Sequence, residues 1–432
     1  MQAAVEQTSP KVVDYTHVYK PIMQFNKNRN VFIHQWYPFV EGYSKEFIES
    51  ILDELEYKPT HVLDPFAGSG TTPLELQNKG ITCSSFEVSP FMYLLASAKL
   101  NTTYSSKTIE QESHRISTSL RGKFRAIRKL VSPPLAKTFQ PRKGLKKWVF
   151  NKGVMDGILD IKHEISNVND ASYRPLFLVA LASILLDVSN VYRNGKCLSY
   201  KKNWQEAHIK RRDVHEKFLE KLKMIRKDIK HLESLNVSTN NLPFCHFGDV
   251  REKISTVPDG SIDLVITSPP YLNSRDYTDM YIAELWVLDL VNSYEEVREL
   301  RKRTLRSHVQ VKLGNVDLLK IPLLENAISE IQSTEKLWNK DIPNMIKAYF
   351  VDMDLLFCKL KSKMKPGKKV FFNVANSAYY GVEIKVDEIV SSIASSNGFR
   401  VDEIREARKL KSSAQQKEKI GSLRESVIVM TS

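Results

Sequence analysis

Cysteine is scarce in this chain. Four occur in 432 residues (Cys83, Cys197, Cys245 and Cys358), and no two form a CxxC pair. That scatter excludes a zinc ribbon and a disulfide scaffold, and it suits a reducing cytoplasm. Long apolar runs are also missing. The longest, Leu176 to Leu186, falls short of the roughly 20 residues that cross a bilayer, so it reads as a buried helix and no membrane partner is expected. Met1 to Lys20 is polar and lacks the apolar centre of a signal peptide. The histidines, His34 and His308 among them, show no metal-ligand spacing, so no metal site is expected. Acidic residues are outnumbered: Lys+Arg 64 against Asp+Glu 50 leaves a net charge of +14. An excess of that size favours a polyanionic partner such as nucleic acid, although a merely soluble basic enzyme can carry it too.

What is present is an interrupted α/β pattern. Residues 1–30 show no period and read as a loose arm. Residues 45–56 have helical spacing in Phe47, Ile48, Ile51, Leu52 and Leu55. His61 to Asp64 reads as a strand, Thr72 to Asn78 as a helix stopped at Gly80, and Ile81 to Glu87 as a second strand: one βαβ unit. The character then changes. Residues 121–150 hold ten Lys/Arg and no acid, broken by three prolines and two glycines, and read as a basic loop. Residues 206–235 form an amphipathic helix with Val214, Phe218, Leu222, Ile225, Ile229 and Leu232 on one face. Strands return at His246–Phe247, Ser261–Ile266, Lys369–Ala375 and Ser426–Met430. The expected organisation is a cofactor half with its N-terminal arm (1–100), a helical basic insertion (101–245), and a catalytic half (246–432) with a helical sub-insertion at about 275–345.

Between the first strand and its helix stands Asp64-Pro65-Phe66-Ala67-Gly68-Ser69-Gly70-Thr71-Thr72. Glycines there allow close approach of a ligand and positive φ. Open α/β sheets bind ligands at such strand ends. It is not a phosphate P-loop, because no GK[ST] follows, and Pro73 breaks any dinucleotide GxGxxG. A second string, Thr267-Ser268-Pro269-Pro270-Tyr271, follows the SIDLVI strand directly. By itself it is also an ordinary strand-to-loop turn. A second SPP at Ser132-Pro133-Pro134-Leu135 lacks the aromatic and follows no strand, so it reads as loop.

Together these strings resemble motifs I and IV of the DNA amino-methyltransferases, over residues 60–95 and 246–275. The resemblance implies a Rossmann-like class I S-adenosylmethionine-dependent methyltransferase core with a helical basic insertion. It implies a cofactor pocket lined by Asp64, Phe66, Ala67, Gly68, Gly70, Thr71 and Thr267. Glu87 then receives the ribose hydroxyls, and Asp249 in Phe247-Gly248-Asp249 meets the adenine amino group. Ser268, Pro269, Pro270 and Tyr271 become the catalytic loop. The chemistry is coherent: an exocyclic amine is a poor nucleophile, and acceptors from Ser268 Oγ and the Pro269 carbonyl hold its hydrogens while Tyr271 offers a face to an extruded base. No Pro-Cys nucleophile motif is present, which disfavours methylation at carbon 5 of cytosine. S-P-P-Y is typical of enzymes acting on N4 of cytosine, and D-P-P-Y is more usual for N6 of adenine. His34-Gln35-Trp36-Tyr37-Pro38-Phe39 sits where the family carries a segment that closes over the cofactor, and Arg424-Glu425-Ser426 precedes the last strand.

Residues 193–230 carry 13 Lys/Arg and five Asp/Glu, which reads either as a solvated helix face or as DNA contact. Arg275, Tyr277 and Arg306 are candidates for the target pocket, whereas Leu285 and Trp286 read as core. The expected activity is site-specific methylation of cytosine N4 in double-stranded DNA, as the modification half of a prokaryotic restriction–modification system with a cognate endonuclease. The rivals are an N6-adenine enzyme, an RNA guanine-N2 methyltransferase (too few residues precede motif I for its usual RNA-binding domain), and a non-catalytic nucleic-acid-binding subunit.

Overall fold

The computed structural model describes residues 10–122, 136–194, 197–235, 244–273, 275–334, 337–411 and 417–432. Residues 123–135 of the basic loop expected around 121–150, with the SPP at 132–134, lie outside these residues. Eight strands form one sheet: β1 (Val12–Asp14), β2 (His61–Asp64), β3 (Thr82–Glu87), β4 (Phe244–Phe247), β5 (Ile262–Thr267), β6 (Met364–Ala375), β7 (Arg400–Lys411) and β8 (Ser422–Thr431). Their order is β1-β7-β8-β6-β5-β2-β3-β4. Only β8 runs against its neighbours; the other pairs are parallel. The longer helices are α1 (Lys45–Glu54), α2 (Thr71–Asn78), α3 (Pro90–Leu100), α4 (Ser106–Arg121), α5 (Lys152–Ser166), α6 (Arg174–Val188), α7 (Arg211–Ser234), α8 (Ile282–Val287), α9 (Tyr294–Arg303), α10 (Pro322–Gln332), α11 (Ile342–Lys363) and α12 (Val386–Ser396). A mostly parallel sheet with one antiparallel strand near its edge, clothed by helices, is a Rossmann-like α/β fold.

Sequence alone places the central strands well because their burial is continuous. All six residues of β5 are buried, as a strand covered on both faces requires. β7 escapes that reading. It is rich in Arg and Glu, and its charges are satisfied locally: Arg405 bonds Glu403 and Glu54, while Ile404 and Ala407 turn into the core.

The N-terminal arm is not loose over the residues described. β1 extends the sheet edge in parallel with β7, pairing Val12 with Ile404 and Asp14 with Glu406. Tyr19, Ile22, Met23 and Phe25 are buried behind it. A three-residue strand, a single turn of α-helix at Thr16–Tyr19 and a 3-10 segment are each too short to show a period, which is why the sequence looks featureless there.

Helices α4 to α7 bury their apolar faces on one another, and all six apolar positions expected on α7 are buried. Helix α6 is apolar all round. The span Ala171–Val188 is apolar enough by composition to cross a membrane, yet 61% of it is buried inside the protein, so the apolar run serves as a core helix. The core that α4–α7 build is continuous with Phe25, Ile33, Trp36, Leu74 and Phe91 on the cofactor side and with Leu285 and Trp286 beyond the catalytic loop. A buried carboxylate pins the two sides. Asp228 of α7 accepts the backbone N–H of Ile33 at 3.0 Å, Nε1 of Trp36 at 2.9 Å, and Nε2 of Gln35 at 2.9 Å.

Candidate active site

Strand β2 lies between β5 and β3, so the chain progresses outward in both directions from there. Such a switch point leaves a crevice beyond the carboxyl ends of β2 and β5. Both motif strings emerge into it, and a single bond ties them. Thr267, the last residue of β5, donates its hydroxyl to Asp64 Oδ1, at the end of β2, at 2.7 Å. The same oxygen accepts the N–H of Phe66 at 3.1 Å. Asp64 is fully buried, and burial pushes its carboxyl up to about 6 against the pull of these bonds.

The Gly-rich turn is shaped by its backbone. Gly68 and Gly70 have φ of +52° and +83°. At Gly70 an added Cβ would stand 3.0 Å from the Ala96 Cβ, so this glycine admits α3 against the start of α2. Gly68 leaves its N–H free for Glu87 Oε2 at 2.9 Å, and the other Glu87 oxygen accepts Ser89 N–H at 2.7 Å. Each oxygen keeps a lone pair for another donor. Burial pushes the Glu87 carboxyl up to about 7, held down in part by those two N–H groups. Behind the turn, the buried Lys99 donates to the Ser69 carbonyl at 3.0 Å, and burial lowers its ammonium to about 7.

The Ser-Pro-Pro-Tyr loop is held by side chains instead. Asn373, near the carboxyl end of β6, donates through Nδ2 to Ser268 Oγ at 3.2 Å and to the Tyr271 hydroxyl at 2.7 Å. Tyr271 donates to Glu425 Oε1 on β8 at 2.7 Å, and the second Glu425 oxygen pairs with Arg408 of β7. Burial and the Glu425 charge hold the Tyr271 hydroxyl well above its ordinary range, so it stays a neutral donor. Tyr379 caps the loop by donating to the Leu272 carbonyl at 3.2 Å.

One cavity of about 510 Å³ joins the two loops. Phe66, Ala67, Gly68, Thr71, Glu87, Asp249, Ser268, Pro269, Pro270 and Tyr271 all line it. Asp64, Gly70 and Thr267 stand behind the wall and shape it instead. Asp249 is half committed: it receives Arg251 at 2.6–3.0 Å through both oxygens, and Arg251 also pairs with Asp352. Arg275 and Tyr277 reach the cavity. Arg306 does not. Its guanidinium binds Asp352 at 2.6 Å and its backbone N–H binds the same carboxylate at 3.0 Å, so it is a framework residue rather than a pocket candidate.

Asn373, Glu425, Arg408, Glu41 and Tyr281 also line the cavity and were not singled out from sequence as site residues. A lone Asn inside the apolar run Val370–Val374 was the available signal for the first. The segment before α1 covers the Gly-rich turn, with the Phe39 ring 3.6 Å from where a Cβ on Gly68 would stand.

These two loops stand at the switch point of a Rossmann-like sheet, and comparison with known proteins gives that arrangement a setting. No family model matches the chain. The Type II methyltransferase M.BsoBI of Geobacillus stearothermophilus is 26% identical over 98% of this chain and 91% of its own length. The Type II methyltransferase M.AvaI of Nostoc is 26% identical over 89% of this chain and 83% of its own. Among solved structures, the rRNA methyltransferase aviRa from Streptomyces viridochromogenes aligns over 92% of this chain and 84% of its own at 11% identity, with a TM-score of 0.31. The curated homologues of this chain are type II DNA methyltransferases, at modest identity but over most of its length.

Proposed function

We propose that the chain is a site-specific DNA methyltransferase that transfers the methyl group of S-adenosylmethionine to N4 of cytosine, as the modification enzyme of a restriction–modification system. The observation that carries this reading is the Ser-Pro-Pro-Tyr loop held beside the Gly-rich turn through Thr267 and Asp64, with Ser268 on a shared cavity wall.

The residues present suit the cofactor. The paired acceptors of Glu87 match vicinal ribose hydroxyls, the Gly68 turn admits a close backbone approach, and the cavity volume suits a nucleoside with an amino-acid tail. When bound, S-adenosylmethionine supplies a methyl carbon as electrophile. The chain's own part is positioning. Ser268 Oγ and the Pro269 carbonyl accept the two hydrogens of the target amine, which turns the nitrogen lone pair toward the methyl group. Asn373 fixes Ser268 from behind, and the Glu425 anchor holds the Tyr271 ring as a stacking face.

Residues 101–245, with the basic face of α7, contact double-stranded DNA in this reading, and a cognate endonuclease shares the recognition site. The enzyme works in the bacterial cytoplasm, where its substrate lies. The test is incubation with labelled S-adenosylmethionine and mixed genomic DNA, followed by digestion to nucleosides. N4-methylcytosine that falls sharply in Ser268→Ala supports the proposal. N6-methyladenine would replace the base, and label confined to RNA would overturn the DNA assignment.

A further inference from the structure

Glu41 is a polar group lining the cavity that the proposed chemistry leaves unused. It lies in the segment Phe39–Tyr43, which lines the cavity over the Gly-rich turn. Its Oε2 accepts the hydroxyl of Tyr281 from the catalytic half. Its Oε1 is buried and has no hydrogen-bond partner. Burial alone raises the carboxyl above its ordinary range, with the Tyr281 bond and Arg193 pulling the other way. The neighbouring Arg193 does not fill the vacancy. Its guanidinium lies over the Tyr281 ring at 4.2 Å and is spent on Glu284 Oε1 at 2.8 Å and the Met280 carbonyl at 3.0 Å.

A buried carboxylate oxygen left without a donor, on a residue that lines a cavity, calls for a ligand that brings one. The nucleobase, the ribose and the carboxylate of the proposed cofactor bring no cation to it. The sulfonium is cationic but has no N–H or O–H. The α-ammonium has both charge and donors, and a charge-assisted bond to a buried acid is the strong kind. We infer that Glu41 receives the α-ammonium of the cofactor's amino-acid part, so that the segment before α1 reads the tail while Glu87 reads the ribose. This rests on the cofactor reading above.

The experiment is calorimetry on the whole protein with S-adenosylhomocysteine, its deaminated analogue, its decarboxylated analogue and adenosine, for wild type and Glu41→Gln. Wild type is expected to bind S-adenosylhomocysteine about tenfold or more tighter than the deaminated analogue. In E41Q that preference shrinks to about threefold or less, while adenosine affinity stays unchanged. A preference that survives E41Q intact overturns the inference. So does a loss confined to the carboxylate contrast, which would make Glu41 a neutral donor, or a parallel loss of adenosine binding, which would make it structural. Failure of wild type to bind S-adenosylhomocysteine at all overturns the cofactor reading itself, a separate result.

Discussion

The two loops at the switch point are built by opposite means. The Gly-rich turn is a backbone device: glycine dihedrals and N–H groups directed at Glu87. The Ser-Pro-Pro-Tyr loop is a side-chain device: Ser268 and Tyr271 are fixed by Asn373, Glu425 and Arg408, drawn from three strands. A backbone device is written in a contiguous string and is visible in sequence. A side-chain device is assembled from distant positions and becomes visible only when the sheet is closed. The two should also fail differently when mutated.

The largest effect is expected at Ser268. Replacing it with Ala removes an acceptor for the target amine and should lower turnover by about 10²-fold, while S-adenosylhomocysteine affinity moves by no more than about twofold. A kinetic series read beside calorimetry checks the split, and a comparable loss in both would erase the division between the loops. Gly70→Ala should act the other way. Its Cβ would meet the Ala96 Cβ at 3.0 Å and Cα at 3.1 Å at φ +83°, so folding stability should fall by roughly 1–3 kcal/mol in urea unfolding, with cofactor binding weakened alongside.

Tyr271→Phe keeps the ring but leaves Glu425 Oε1 and Asn373 Nδ2 each short of a partner. A stability loss of about 1 kcal/mol and a several-fold fall in turnover are expected, with cofactor affinity unchanged. Acidity should sharpen the contrast from the other side. Glu87 accepts best as a carboxylate, and burial raises it to about 7, so cofactor affinity should fall as pH drops below 7. The free protein behaves oppositely. Its folded state holds this proton where the unfolded chain has lost it, so Glu87 favours the fold on the acid side and that contribution is lost as pH rises through about 7. Calorimetry and thermal melts between pH 6 and 8 test the two signs together. The smallest effect belongs to Ser132→Ala, in the SPP without an aromatic: turnover should stay within about twofold of wild type.

This division explains what was legible. The βαβ unit, the strand at 262–267, the Gly-rich turn, Glu87 and the SPPY loop were all readable, because each is a local pattern of burial and turn chemistry. Strand β7 was not, since its charged residues find partners along the strand itself, across the sheet and on α1, which lets an Arg- and Glu-rich run sit in a sheet. Nor was the role of Asp64. Its string resembles a ligand-lining motif, yet its carboxylate faces away from the cavity and joins two strand ends separated by 203 positions. Tertiary bonds of that reach leave no trace in spacing.

The grip of Asp228 on Ile33, Gln35 and Trp36 bears on how such enzymes can be re-engineered. Exchanging the helical insertion between relatives, as one would swap a specificity cassette, would carry the anchor away from the segment it holds. A graft that respects the boundaries of the insertion but pairs a foreign helix with the resident segment 33–36 leaves three donors without their acceptor. Any working chimera has to move the two pieces as a matched pair.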